Sequence, residues 1–215
     1  MGRKEALTQF HREAIAATAD RMFQEVGIEK TTMDDIARQA EYSKRTIYAY
    51  FKSKDDIYLY IVRKAMNMMH DRIHDGIAAE SSPVKQYYAI CRELSSFAEK
   101  YPFYYQSLMD TIAVDPASRK ANPILEEIYQ MGEQIIQSIN SMLDDGIKQG
   151  IVRQDARGAQ VGMFFWAALS GVIMLANSKE QYIQQNTELS KHAFLDYSFH
   201  ALLRAVLSEG EIPND

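Results

Sequence analysis

Between Arg38 and Lys54 the chain carries five cations, Arg38, Lys44, Arg45, Lys52 and Lys54, against one acid, Glu41. The local balance is five minus one, or +4, in a chain whose formal net charge is −5. A basic strip on an acidic protein has the chemistry to meet phosphate. Within it, Lys44, Arg45, Thr46 and Ala49 are of the types that read base edges. A guanidinium spans guanine O6 and N7, and a small methyl side chain meets the thymine methyl group. Thr32, Tyr48, Tyr50 and Lys54 offer hydroxyls and an ammonium of the kind that hold a phosphate backbone. A solvated basic helix face would show the same charge, so charge alone does not decide.

A run of helix caps would position these side chains. Thr32, Ser43 and Ser53 are each followed three residues later by Asp35, Thr46 and Asp56. A Ser or Thr at an N-cap accepts from an orphan N–H of the first turn, and an acid there suits the positive end of the helix. The stretch Thr31–Asp56 therefore predicts two short helices and the start of a third, with very tight connections. Two short helices joined by a brief turn form a helix-turn-helix, whose second helix fits the DNA major groove. For Tyr48, packing beside Ile47 and Phe51 is the competing role.

Further features agree: Gly27 ending a first helix, Thr31-Thr32 opening the second and Asp35-Ile36-Ala37 within it. Then come Ser43-Lys44, Thr46-Ile47-Tyr48, Tyr50-Phe51 and Ser53-Lys54. On these residues the chain, over about 5–60, closely resembles the DNA-binding domain of the TetR family of bacterial transcriptional regulators. The rest resembles the family only in length and helical character. The resemblance implies a helix-turn-helix domain at residues 1–53 and an effector-binding and dimerisation domain at 54–215. It also implies a homodimer formed through the last two helices. A ligand-responsive regulator follows, a repressor released from a palindromic operator by a small, mostly apolar effector. The alternative is a helical small-molecule or lipid carrier that no longer binds DNA. Two positions depart from the family pattern. Glu41-Tyr42 stands where the turn usually has Gly and a small aliphatic residue, and a left-handed Glu costs on the order of 1 kcal/mol. Arg45 stands where Gly is frequent, placing a long guanidinium near the start of the recognition helix.

Composition narrows the remaining classes. With 215 residues, 47% hydrophobic and 25% charged, the chain can build one or two globular domains. A single Cys, Cys91, rules out an intrachain disulfide and a Cys-pair zinc site. The N-terminal MGRKEALTQFHREA lacks the apolar stretch of a secretory signal. The longest apolar run, Val161–Ala176, is about 16 residues, short of the ~20 that span a bilayer. A cytoplasmic protein with no membrane partner is expected. No nucleophile elbow, phosphate-binding glycine loop or activated Cys appears, so neither an enzyme nor a cofactor is expected.

The whole chain reads as all-α, with about nine helices and no convincing strand pattern. Helices are predicted at about Lys4–Val26, in the two short segments above, and at Lys54–Ala78, Pro83–Lys100 and Pro102–Ala113. Asp115–Ser118 reads as a loop, and Asn122-Pro123 opens a long helix to about Gln149. Asp155 is the expected cap of a helix ending near Asn177, and Ser178–Thr187 a polar connection to a last helix at about Glu188–Ser208.

Three further sites can be weighed. Val161–Ala176 is apolar nearly all round, so it must be covered on every face, and the last helix carries two apolar stripes. Trp166, Val172, Phe194, Phe199 and Leu202 are the expected dimer contacts, the competing role being the core of a monomer. Aromatic and Met residues are dense after residue 87. Tyr88, Phe97, Tyr105, Met109, Ile128 and Phe165 are the candidates to line an effector pocket, against the plainer role of filling the core. His70 and His74 stand four apart with Asp71 and Asp75 beside them, a spacing that holds a metal only if a third ligand arrives. On a polar face such a pair is more often solvated, and no metal is expected.

Overall fold

The computed structural model describes residues 2–111 and 115–208. Its described residues form eleven helices: α1 Arg3–Val26, α2 Met33–Gln39, α3 Lys44–Tyr50, α4 Lys54–Ala78, α5 Pro83–Lys100, α6 Pro102–Thr111, α7 Pro116–Ala121, α8 Pro123–Lys148, α9 Ala159–Ser178, α10 Glu180–Thr187 and α11 Lys191–Arg204. The only β-pairing among them is an isolated bridge between Val152 and Leu207.

The count exceeds nine because two short polar segments are helical. Asp115 caps α7 by accepting from the Ala117 and Ser118 amides, and Pro116 supplies a preset φ at the first helical position. The Ser118 hydrogen bonds hold the Asp115 carboxyl below its ordinary pKa. α10 fills most of the expected polar connection and ends at Glu188, which is left-handed at φ 61°. Consequently α11 starts at its Ser190 cap rather than at Glu188. Asp155 caps nothing; it pairs with Arg153 at 3.2 Å, and Gly158 precedes α9. The predicted end of α6 at Ala113 lies outside the described residues.

The chain divides into two compact units, Met1–Ala65 with Asp110–Ile128, and Met66–Met109 with Tyr129–Asp215. In the first, α1 lays Ile15, Ala19 and Phe23 inward at helical spacing, against Ile36, Ile47, Phe51 and Ile57. Burying each of the Ile and Phe side chains fully contributes about 1.5–3 kcal/mol. The Arg12 guanidinium lies 4.5 Å from the Phe51 ring centroid and 5.0 Å from that of Tyr60, and donates to the Tyr50 carbonyl at 3.1 Å. Gln9 donates to the Tyr60 hydroxyl at 2.9 Å. The end of α3 is therefore held from α1.

In the second unit α9 packs against α5 and α11. Phe165, Leu169, Ile173 and Ala176 form its buried face. Tyr87 of α5 donates to the Phe199 carbonyl at 2.8 Å and meets Phe165 edge-on. Cys91 is a core residue, its thiol pushed up to about 12 by burial. At Gly162 a Cβ would collide with the Asn140 side chain, so glycine sets the approach of α9 to α8 there. With 20 residues, α9 is long and apolar enough by length and composition to cross a membrane, so the shorter apolar run did not settle the matter. Its packing on α5 and α11 accounts for the apolarity of its buried face, about a third of that stretch.

Candidate nucleic-acid interface

All three caps form. Thr32 accepts from the Asp35 amide at 3.1 Å while the Asp35 carboxylate reaches back to the Thr32 amide, a reciprocal box. The Thr32 hydroxyl, its amide and Arg38 together hold the Asp35 carboxyl below the usual carboxylate range. Ser43 accepts from the Thr46 amide and Ser53 from the Asp56 amide, each at 3.1 Å.

The turn between α2 and α3 keeps the left-handed geometry that glycine usually supplies, with Glu41 at φ 59°. The Tyr42 amide donates to the Ala37 carbonyl at 3.0 Å and the Glu41 amide to Arg38 at 3.3 Å, the bonds of a Schellman ending. Tyr42 compensates for the missing aliphatic residue. Its hydroxyl lies 2.7 Å from His11 Nδ1 and its ring meets the imidazole edge-on, tying the turn to α1.

On α3 only Ile47 is buried. Lys44, Arg45, Tyr48 and Ala49 are exposed, and Tyr48, at 46% exposed, points away from the core that Ile47 and Phe51 enter. Thr46 is half-buried, its hydroxyl 2.7 Å from that of Ser43. Tyr50 is half-buried against His11, while Thr32 is exposed at its cap. The basic strip is partly spent internally. Lys44 pairs with Asp34 at 2.8 Å, which holds its ammonium above the ordinary lysine value, and Arg38 pairs with Asp35. Lys54 donates to the Ile28 carbonyl at 2.6 Å, binding α4 to the loop after α1. Arg45 and Lys52 are exposed and in no ion pair among the described residues. In sequence Lys52 contributes only to the strip's charge, and its position just before the Ser53 cap is the signal that marks it as a loop cation.

A family model, that of the bacterial regulatory proteins of the tetR family, matches residues 15–61. The helix-turn-helix domain belongs to the tetR family. The uncharacterized HTH-type transcriptional regulator YhgD of Bacillus subtilis is 22% identical over 142 residues, 66% of this chain and 72% of that protein. Among solved structures, the ketosteroid transcriptional regulator KstR2 of Mycobacterium tuberculosis superposes with a TM-score of 0.67 at 18% identity, covering 93% of this chain and 96% of its own. FadR of Bacillus subtilis, solved with stearoyl-CoA, gives 0.65 at 14% identity over 89% and 97% of the two chains. At such identities the likeness establishes the fold alone, shared along most of the chain.

Beyond the tetR-family domain, the six candidate effector residues differ in burial and are shared between the two units. Phe97, Tyr105 and Phe165 are buried in the second unit, and Tyr105 donates to the Ser170 carbonyl at 3.5 Å, with burial pushing its hydroxyl up to about 12. Met109 and Tyr88 are half-buried, Tyr88 lying 3.2 Å from His200 Nδ1. Ile128 is buried in the first unit. An open cleft of about 580 Å³ in the second unit is lined instead by His70, His74, Ile77, Gln134, Gln137, Ser141 and neighbours, none of them among the six.

Of the five candidate dimer residues, Trp166, Val172, Phe194 and Leu202 are half-buried within the chain. Phe199 is buried in its own unit beneath Tyr87. The outward apolar side chains are others: Met163 and Phe164, 63% and 54% exposed, Met174 and Leu175 on α9, and Tyr197, 68% exposed, on α11. The two apolar stripes of α11 foretold this division without saying which stripe faces out.

Proposed function

We propose that the protein is a ligand-responsive repressor that binds a palindromic operator as a homodimer in the cytoplasm. The outward face of α3 carries this reading, with Arg45, Tyr48 and Ala49 exposed on a capped helix over a buried Ile47. In this reading Lys44, Arg45, Thr46 and Ala49 read base edges, while Thr32, Tyr48, Tyr50 and Lys54 hold phosphates. Arg45 is the residue that confers specificity, through guanine O6 and N7. The exposed apolar side chains of α9 and α11 supply the partner surface that a two-fold dimer needs. Two recognition helices ~34 Å apart then meet successive half-sites.

The effector is a small, mostly apolar molecule. This is supported by the density of aromatics in the second unit and by a fold shared with a ketosteroid regulator and with a FadR solved with stearoyl-CoA. α4 belongs to both units, so a ligand that displaces its second half moves the helix on which the reader rests. Release requires only that the ligand bind the DNA-incompetent state more tightly. A carrier that had lost DNA binding would have no use for the intact caps and the Schellman turn. A mobility-shift and footprinting titration of the purified protein on DNA flanking its own gene tests the proposal. The expected result is a salt-sensitive, two-fold symmetric footprint; the absence of any sequence-specific binding sinks it.

A further inference from the structure

We propose that His70 and His74 form an open half-site for a transition-metal dication at the wall of the polar cleft in the second unit. The two imidazoles sit one helical turn apart on α4, with ring centroids 6.2 Å apart and planes within 22° of parallel. Both line the cleft of about 580 Å³, opposite Gln134, Gln137, Ser138 and Ser141 of α8. Each ring turns its Nδ1 toward a carboxylate. His70 Nδ1 lies 3.1 Å from Asp71 Oδ1, and His74 Nδ1 lies 3.7 Å from Asp75 Oδ1. A metal-binding histidine characteristically donates its second N–H to a carboxylate, which fixes the tautomer and makes the other nitrogen a better donor. At His70 that arrangement leaves the Nε2 lone pair for an ion, while His74, whose Nδ1 is too far from Asp75 for a hydrogen bond, can present either nitrogen.

Helical spacing of i and i+4 places two such nitrogens on one face. To share one ion at ~2.0–2.1 Å the two rings must turn from this near-parallel stacking until their ligating nitrogens converge. His74, two-thirds exposed, is free to make its part of that rotation. Imidazole nitrogens select Zn²⁺, Ni²⁺ or Cu²⁺ over Mg²⁺ and Ca²⁺, which take oxygen ligands. Among the described residues no three His, Cys, Asp or Glu side chains converge. The described residues therefore supply two donors, and the remaining positions fall to water or to a donor group on a molecule lodged in the cleft. An open coordination sphere facing a cleft is the arrangement of a metal that meets a ligand rather than one that only braces a fold. This site shares no residue with the nucleic-acid face and does not depend on the repressor reading.

Calorimetric titration of the untagged, chelator-stripped full chain with ZnCl₂ and NiCl₂ tests it, with MgCl₂ as control. The expected result is one ion per chain, lost in His70→Asn, in His74→Asn and in the double variant, with circular dichroism unchanged. Asp71→Asn, exposed and outside the coordination sphere, should weaken binding about tenfold. No heat beyond that of MgCl₂, or binding that survives the double variant, overturns the proposal.

Discussion

α3 and α9 both present faces that their own chain leaves open, and the two faces differ in kind. α3 buries Ile47 alone and shows water a cation, a phenol and a methyl group. α9 buries Phe165, Leu169 and Ile173 and shows water Met163, Phe164 and Leu175. Exposed Arg45 costs nothing in water and gains only when it meets an anion. Exposed Phe164 is unfavourable at about 25 cal/mol per Å² until something apolar covers it. The first face therefore calls for a partner whose binding weakens with salt, and the second for one whose binding hardly feels salt. The proposed homodimer, in which copies of α9 join and copies of α3 read DNA, would meet both demands.

Four substitutions break or sharpen this contrast. Phe51→Ala, beneath α3, should cost about 3–5 kcal/mol of stability in denaturant melts, because it removes the ring under Arg12 and beside Tyr60. An intact fold would mean that the face of α3 does not depend on its core. Phe164→Asp should turn the protein monomeric in sedimentation and lower operator affinity by about 100-fold or more, as the second half-site contact becomes a separate event. A dimer that persists would show that the apolar face of α9 serves something else. Arg45→Ala should cost about 1–3 kcal/mol at one base position and relax specificity there. Equal losses on all sequences would make it a phosphate contact. Glu41→Gly should stabilise by about 1 kcal/mol or less, since the left-handed turn then costs nothing, offset in part by chain entropy. It should also strengthen operator binding modestly by removing the one acid of the basic strip.

Legibility in the sequence followed the range of the interactions. Thr32, Ser43 and Ser53 act on amides three residues away, so their roles could be read directly. Asp115 and Pro116 carry the same kind of signal, yet in sequence α7 reads as a loop because it has no apolar periodicity. Tyr42 was visible only as a departure, since its partner His11 stands thirty-one positions away. The effector candidates are hard to read for a different reason. Phe97 and Phe165 look the same in sequence whether they fill a core or border a space. Phe199 and Tyr197 show the limit most plainly, because a turn of the helix about its axis exchanges them between core and surface, and only the seating of α11 on α5 and α9 sets that angle.

The bridge between Val152 and Leu207 has a wider effect than its size suggests. The Arg153 amide donates to the Val206 carbonyl and the Ser208 amide to Ile151, each at 2.9 Å. These bonds join the segment before α9 to the segment after α11, so the three helices between them form a closed ring of chain rather than a free end. Fraying of α11 must first undo that clasp, and a truncation upstream of Val206 would open the ring at both of its ends. The last helix is thus fastened from behind, which leaves its outer side still enough to act as a mould for another surface.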